Sequence, residues 1–101
     1  MKTMQQKPGW TVRFTGKVLK QRDKLPEEIA DALLVLWTEL CMEGPVQPEW
    51  PHYGKLKGRK DEYHCHLNKG RPVYVAVWKV YDKQIRLMEI KYAGTHENAP
   101  Y

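Results

Sequence analysis

Three prolines within seven residues, Pro45, Pro48 and Pro51, divide the chain into parts that no single regular element can bridge. Proline has no backbone N–H and a fixed φ, so a helix or an inner strand stops where it occurs. Before this break the apolar residues recur at helical spacing; after it they alternate. Helices followed by consecutive strands define an α+β chain. The connection Gly44 to Pro51 is too short to separate two domains, and 101 residues sustain one modest core.

The helix ahead of the break is the best-marked element. Pro26 opens it, Glu27 and Glu28 suit the positive end of its dipole, and Gly44-Pro45 stops it. Ile29, Leu33, Leu36 and Leu40 form a core stripe, Asp31 and Glu39 lie off that stripe, and Trp37 is a core anchor. Upstream, Trp10 to Phe14 is a short strand, and Thr15 caps a first helix running to about Leu25. Residues 1–9 are polar and aperiodic, a flexible tail to a single domain over residues 10–101. Lys2 and Lys7 precede no apolar stretch, so no signal peptide is expected.

Past the break, Tyr53 to Leu56, Tyr63 to Asn68, Val73 to Tyr81 and Gln84 to Tyr92 read as strands. Their links are short, so they pair antiparallel. The expected architecture is an N-terminal strand, two antiparallel helices, then a four-stranded antiparallel meander with the helices on one face. No apolar run approaches the ~20 residues that span a bilayer. Cys41 and Cys65 cannot make a disulfide framework, which fits a cytoplasmic protein with reduced thiols.

Charge narrows the function. The formal net charge is +5, and it is unevenly spread. Residues 1–22 carry six basic side chains and no acidic one, whereas residues 23–49 carry seven acidic and one basic. Lys55, Lys57, Arg59 and Lys60 then crowd one short segment, close in sequence to Trp50, Tyr53, Tyr63 and the histidines. Cations mixed with aromatic and titratable groups suit an anionic partner such as nucleic acid.

Three segments can carry chemistry. In Tyr63-His64-Cys65-His66-Leu67, alternation sends Tyr63, Cys65 and Leu67 to one face and both imidazoles to the other. Residues two apart on a strand are roughly 7 Å apart, so both imidazoles reach one small ligand. Plain surface histidines, an acid–base pair and two ligands of a divalent ion all satisfy this pattern, with His96 available as a third ligand. The second segment, Gly54 to Lys60, offers point charges for phosphates and a turn at Gly58, without the glycine and Ser/Thr pattern of a nucleotide-hydrolase loop. The third, Gly94-Thr95-His96-Glu97-Asn98-Ala99-Pro100-Tyr101, follows the last strand and is short enough to lie across the open sheet face.

Taken in order, these segments resemble the RelE/ParE superfamily of type II toxin–antitoxin toxins, in its RelE-like branch. Lys55-Leu56-Lys57-Gly58 is similar to the family's Lys-Leu-Arg-Gly-like segment, Tyr63 to Leu67 to its basic third strand, and Gly94-Thr95-His96 to the ending of its last strand. RelE-type ribonucleases carry two lysines where this chain has His64 and His66, and an arginine where it has Val75; Arg71, in the preceding turn, is the nearest replacement. The ParE branch lacks the nuclease set and acts on DNA gyrase.

The resemblance implies a ribosome-dependent mRNA endoribonuclease that blocks translation, works without metal or other cofactor, and is held in check by a small DNA-binding antitoxin. On that reading His64, His66, His96 and Tyr101 are the catalytic candidates. Lys55, Lys57, Arg59, Lys60 and Arg71 are the RNA-binding ones. A gyrase-binding toxin and a histidine-based metal-binding protein are the alternatives.

Overall fold

The computed structural model describes residues 9–101. The expected flexible tail, apart from Gly9, lies outside the described residues. The order of elements is β1 (Thr11–Phe14), α1 (Gly16–Arg22), α2 (Glu27–Glu43), β2 (Gly54–Lys55), β3 (Glu62–His66), β4 (Tyr74–Asp82) and β5 (Leu87–Thr95). A single 3₁₀ turn, His96–Asn98, follows. The sheet order is β1-β5-β4-β3-β2. The meander is antiparallel as expected, and β1 adds to it in parallel alongside β5. The protein is α+β.

The helix boundaries have local causes. The Thr15 side chain accepts a hydrogen bond from Val18 N at 3.2 Å, capping α1. α1 ends at Arg22, short of Leu25, because Asp23 already serves as its C-cap. In α2 the buried residues are Ile29, Leu33, Leu36 and Leu40, the stripe set by the sequence period. Trp37 ties this helix to β1 by donating its indole N–H to Val12 O at 2.9 Å. Gly44 takes φ 94°, a left-handed conformation open to glycine, and a Cβ there would come within 2.8 Å of the Trp10 indole nitrogen.

The proline-rich connection is firmly tied down. Gln47 is buried and donates to the carbonyls of Glu39 and Gly44, at 3.3 and 3.0 Å. Trp78 donates to Pro45 O at 3.1 Å, and Trp50 to the Glu39 carboxylate at 2.6 Å. The last proline accepts from β3: His66 N donates to Pro51 O at 2.8 Å. This bond brings the next residue, His52, alongside the strand.

Two registers shift within the sheet, between Val77 and Trp78 and between Val80 and Asp82. At the first, Trp78 faces Ile90 and Val77 faces Tyr92, leaving Lys91 as the extra residue. The final strand starts at Leu87, later than the expected Gln84, because Gln84 N and Ile85 N donate to the Asp82 carboxylate in a turn, and it runs through Gly94 to Thr95. Gly94 is a strand residue paired with Val75, where the sequence reading ends the strand at Tyr92. A Cβ at Gly94 would meet the Tyr92 hydroxyl at 2.8 Å, and that hydroxyl donates to Thr95 O at 2.7 Å.

The pleat splits the buried residues into two groups. Cys65, Ala76, Trp78, Val80, Met88, Ile90 and Ala93 pack with the helices. Leu56, Val75, Val77 and Tyr92 form a small apolar floor on the opposite face. Trp50, Tyr53 and Tyr63 belong to the helix side, where Tyr53, Tyr63 and Trp78 stack at 6.1–6.2 Å between centroids. These aromatic residues are structural, which corrects their grouping with the basic segment. Among the described residues no helix is long and apolar enough to cross a membrane.

Gly44 gives a direct test of the connection. Gly44→Ala should lower stability by more than about 1 kcal/mol, since its backbone disfavours any side chain and the indole fills the space. Urea denaturation should show this as a lower midpoint with an unchanged slope.

Candidate active site

The helix-free sheet face gathers all four histidines of the chain. His64 and His66 project from β3, with His64 opposite Val77 and His66 opposite Val75. His52 lies at φ 55° after Pro51 and stacks on His66, centroids 4.1 Å apart and planes 24° from parallel. His96 opens the 3₁₀ turn, its backbone N–H donating to Val73 O at 2.8 Å. Its ring meets His66 edge-on at 5.5 Å. Nothing in the sequence marks His52 for this face; the His66 N–H to Pro51 O hydrogen bond that positions it is invisible to periodicity.

The last residues lie across this face, as their length allowed. Ala99 packs on the Val75–Val77–Tyr92 floor, and the Pro100 carbonyl accepts from Arg59 Nη2. Tyr101 then sits 4.9 Å from the His64 ring and 6.0 Å from that of His96. His64 is thereby partly covered. Its Nδ1 is buried without a hydrogen-bond partner among the described residues, and its Nε2 lies against Gly54. His66 is open on one side to a cleft of about 630 Å³ that Lys69, Arg71, Pro72, His96 and Glu97 also line.

Burial pushes both strand imidazoles below the usual histidine range, and their neighbours add to it. For His64 the further causes are His96 and His52; for His66 they are His52, His96 and His64. A lowered pKa keeps each ring neutral near pH 7, the state of a proton acceptor. Tyr101 moves the other way. Burial first, then the Cys65 and Tyr92 groups, raise its phenol, so it keeps its proton and suits donation or stacking better than a base role. Cys65 is fully buried, its thiol pushed up to about 12 by desolvation and Glu39, so it is no nucleophile.

The basic candidates separate. Arg71 borders the cleft beside His66 and His96, while Val75 is buried in the floor. Lys55 pairs in register with Tyr63 and holds its ammonium 6.0 Å above that ring, on the helix side of the sheet. Lys57 and Lys60 are exposed in the following turn and form no hydrogen bond or ion pair with the described residues. Arg59 is committed to Glu62 at 3.5 Å and to the Pro100 carbonyl. Among the described residues no group of three or more His, Cys, Asp or Glu side chains is disposed to hold a metal ion. His64, His66 and His96 share a face without converging as a ligand set.

These features occur on a known scaffold. The strand, helix pair and meander form a fold shared with solved RelE and YoeB toxin structures. Among solved structures, the chain is similar to RelE in the archaeal RelE–RelB complex from Pyrococcus horikoshii OT3, with a TM-score of 0.70 and 23% identity over 89% of this chain and 98% of that one. The isolated E. coli RelE toxin gives 0.66 and 22%, over 90% and 88%. The YoeB–YefM complex from Staphylococcus aureus gives 0.64 and 14%, over 86% and 97%. No protein-family model and no curated protein matches the sequence. At these identities the likeness concerns the fold.

The depressed imidazoles make stability depend on pH with a definite sign. His64 and His66 bind protons more readily in the unfolded chain, whose histidines titrate near about 6.5. Their contribution is complete above that value and is lost as pH falls toward the folded-state values. Thermal melting should therefore show a lower midpoint at about pH 5.5 than at about pH 7.5. The difference should shrink in a His64→Gln, His66→Gln double variant; an equal drop there would assign the effect to other groups.

Proposed function

We propose that residues 10–101 form the toxin domain of a type II toxin–antitoxin module, and that it stops translation by cutting mRNA on the ribosome. The observation that carries this reading is the meeting of four histidines and a tyrosine on an open sheet face, beside a cleft edged by Arg71. The fold it shares with RelE and YoeB supports the toxin class.

The chemistry is transesterification by the substrate's own 2′-hydroxyl. His66, neutral and facing the cleft, takes the 2′-hydroxyl proton as the oxygen attacks phosphorus. The P–O5′ bond breaks, and His96, 5.5 Å from His66, returns a proton to the leaving 5′-oxygen. The products are a 2′,3′-cyclic phosphate and a 5′-hydroxyl. Arg71 and Lys69 stabilise the charge on the phosphorane, and Lys57 and Lys60 hold flanking phosphates. His64 and Tyr101 shape the floor and roof of the site. No step calls for a metal ion, so cleavage persists in a chelator.

RelB and YefM accompany RelE and YoeB in the solved complexes, and a cognate antitoxin is the natural partner of this chain. An acidic or amphipathic antitoxin segment over the histidine face neutralises its charge and blocks RNA. Its affinity falls as salt rises if charge dominates.

The decisive experiment combines growth arrest with purified cleavage. Expression of the chain alone should halt incorporation of labelled amino acids before that of labelled thymidine. His96→Ala should slow cleavage by roughly 10²–10⁴-fold with little change in RNA affinity. Early loss of DNA synthesis would transfer the reading to a gyrase-directed toxin. Wild-type cleavage by His96→Ala would remove His96 from the mechanism.

A further inference from the structure

The basic segment was expected to bind phosphate along its length, but one of its members is otherwise engaged. Arg59 reaches inward. Its Nη1 lies 3.5 Å from Glu62 Oε1, and its Nη2 donates to the Pro100 carbonyl. Glu62 precedes the histidine strand's alternation on the same face as His64 and His66, and only 8% of its side chain is exposed. Its second oxygen is held by Lys91 at 3.4 Å, the residue that the β5 bulge leaves unpaired. A buried carboxylate gripped by two cations is fixed in place, and it fixes Arg59 in turn. The next residue after the carbonyl that Arg59 holds is Tyr101, whose ring covers His64.

We propose that Glu62 and Arg59 form a latch that seats the C-terminal segment, making Arg59 a positioning residue for Tyr101 over His64 instead of a phosphate ligand. Three ties hold the segment, and each acts on a different residue. The His96 N–H bonds to Val73 O, Ala99 rests on the apolar floor, and Arg59 holds Pro100. The first two leave the end free to swing about Ala99. Arg59 removes that freedom, because its guanidinium is planar and offers separate donors to Glu62 and to the carbonyl. Lysine in its place can satisfy one partner well or both poorly. The latch itself is independent of what the site does. Its effect on RNA cleavage rests on the ribonuclease reading.

Ring-current shifts read the latch directly. In the free protein, the His64 ring protons, assigned by their loss in His64→Gln, should be displaced by the Tyr101 ring; Tyr101→Leu should abolish the displacement. Arg59→Met keeps the apolar stem and should abolish it to the same extent, while Arg59→Lys should restore part of it. His52, His66, His96 and Tyr101 face His64, so spectra are compared above about pH 8, away from the ordinary imidazole range of about 6.5. Retention of the full wild-type displacement by a folded Arg59→Met would overturn the latch. If that variant fails to fold, Glu62→Gln, which keeps the shape and weakens the grip on Arg59, should reduce the displacement; no change there overturns the proposal equally. In cleavage assays Arg59→Met and Tyr101→Leu should each lower kcat, by up to about 10²-fold, with KM little changed and the double variant no worse than the poorer single one. A raised KM with a flattened salt dependence, and unaltered His64 resonances, would make Arg59 a phosphate ligand after all. A wild-type protein that cuts no RNA would remove the ribonuclease reading, while the resonances would still decide the latch.

Discussion

The pleat of β3, β4 and β5 assigns each successive side chain to one of two faces, and the rest of the molecule depends on that division. The helices can cover only one of them. Cys65, Ala76, Trp78, Ile90 and Ala93 meet α1, α2 and β1 there, excluding water from the core. The opposite face receives His64, His66, Val75, Val77 and Tyr92 from the same strands. A strand slipped by one residue would exchange the two sets, placing imidazoles in the core and Trp78 in water. The same force that buries the core thus exposes the histidines.

On the open face, polar groups are crowded enough to alter one another. Burial disfavours the protonated forms of His64 and His66, and the neighbouring imidazoles add to it. These two strand imidazoles therefore tend toward neutrality despite the protein's net charge of +5. Cationic charge sits around it: Arg71 and Lys69 at the cleft, Lys57 and Lys60 on the turn. This separation suits chemistry on a phosphodiester. On the proposed ribonuclease reading, a neutral base would stand beside fixed cations that hold the anion.

The elements bounded by strong local signals were legible in the sequence. Pro26 and Gly44 framed α2, Thr15 capped α1, and the alternation around His64 put Cys65 and Leu67 in the core. What depended on distant contacts was not. Strand spacing says nothing about β1 joining β5, because that pairing links the two ends of the fold. The turn that holds Gln84 and Ile85 on the Asp82 carboxylate starts the last strand later, and Gly94, placed after that strand by its period, is a close-packed strand residue beneath the Tyr92 hydroxyl. Charge counting could not separate Lys55, which turns toward Tyr63, from Arg59, which turns toward the tail. His52 owes its place to a backbone bond from Pro51, and no side-chain pattern marks such a bond.

The parallel edge strand has a consequence for the order of assembly. Thr11 to Phe14 pair with Leu87 to Ile90, so the first strand has no partner until the last one exists. Closing so long a loop is slow compared with forming the β3–β4 and β4–β5 hairpins. A nascent chain that emerges only as far as β4 has β1, α1 and α2 without β5, the strand that lies between β1 and β4, and without the turn after it that carries His96. Such a fragment lacks the core residues Met88, Ile90 and Ala93 and one of its four histidines. The topology thus makes the full histidine face depend on β5, so chains cut short before that strand cannot assemble it.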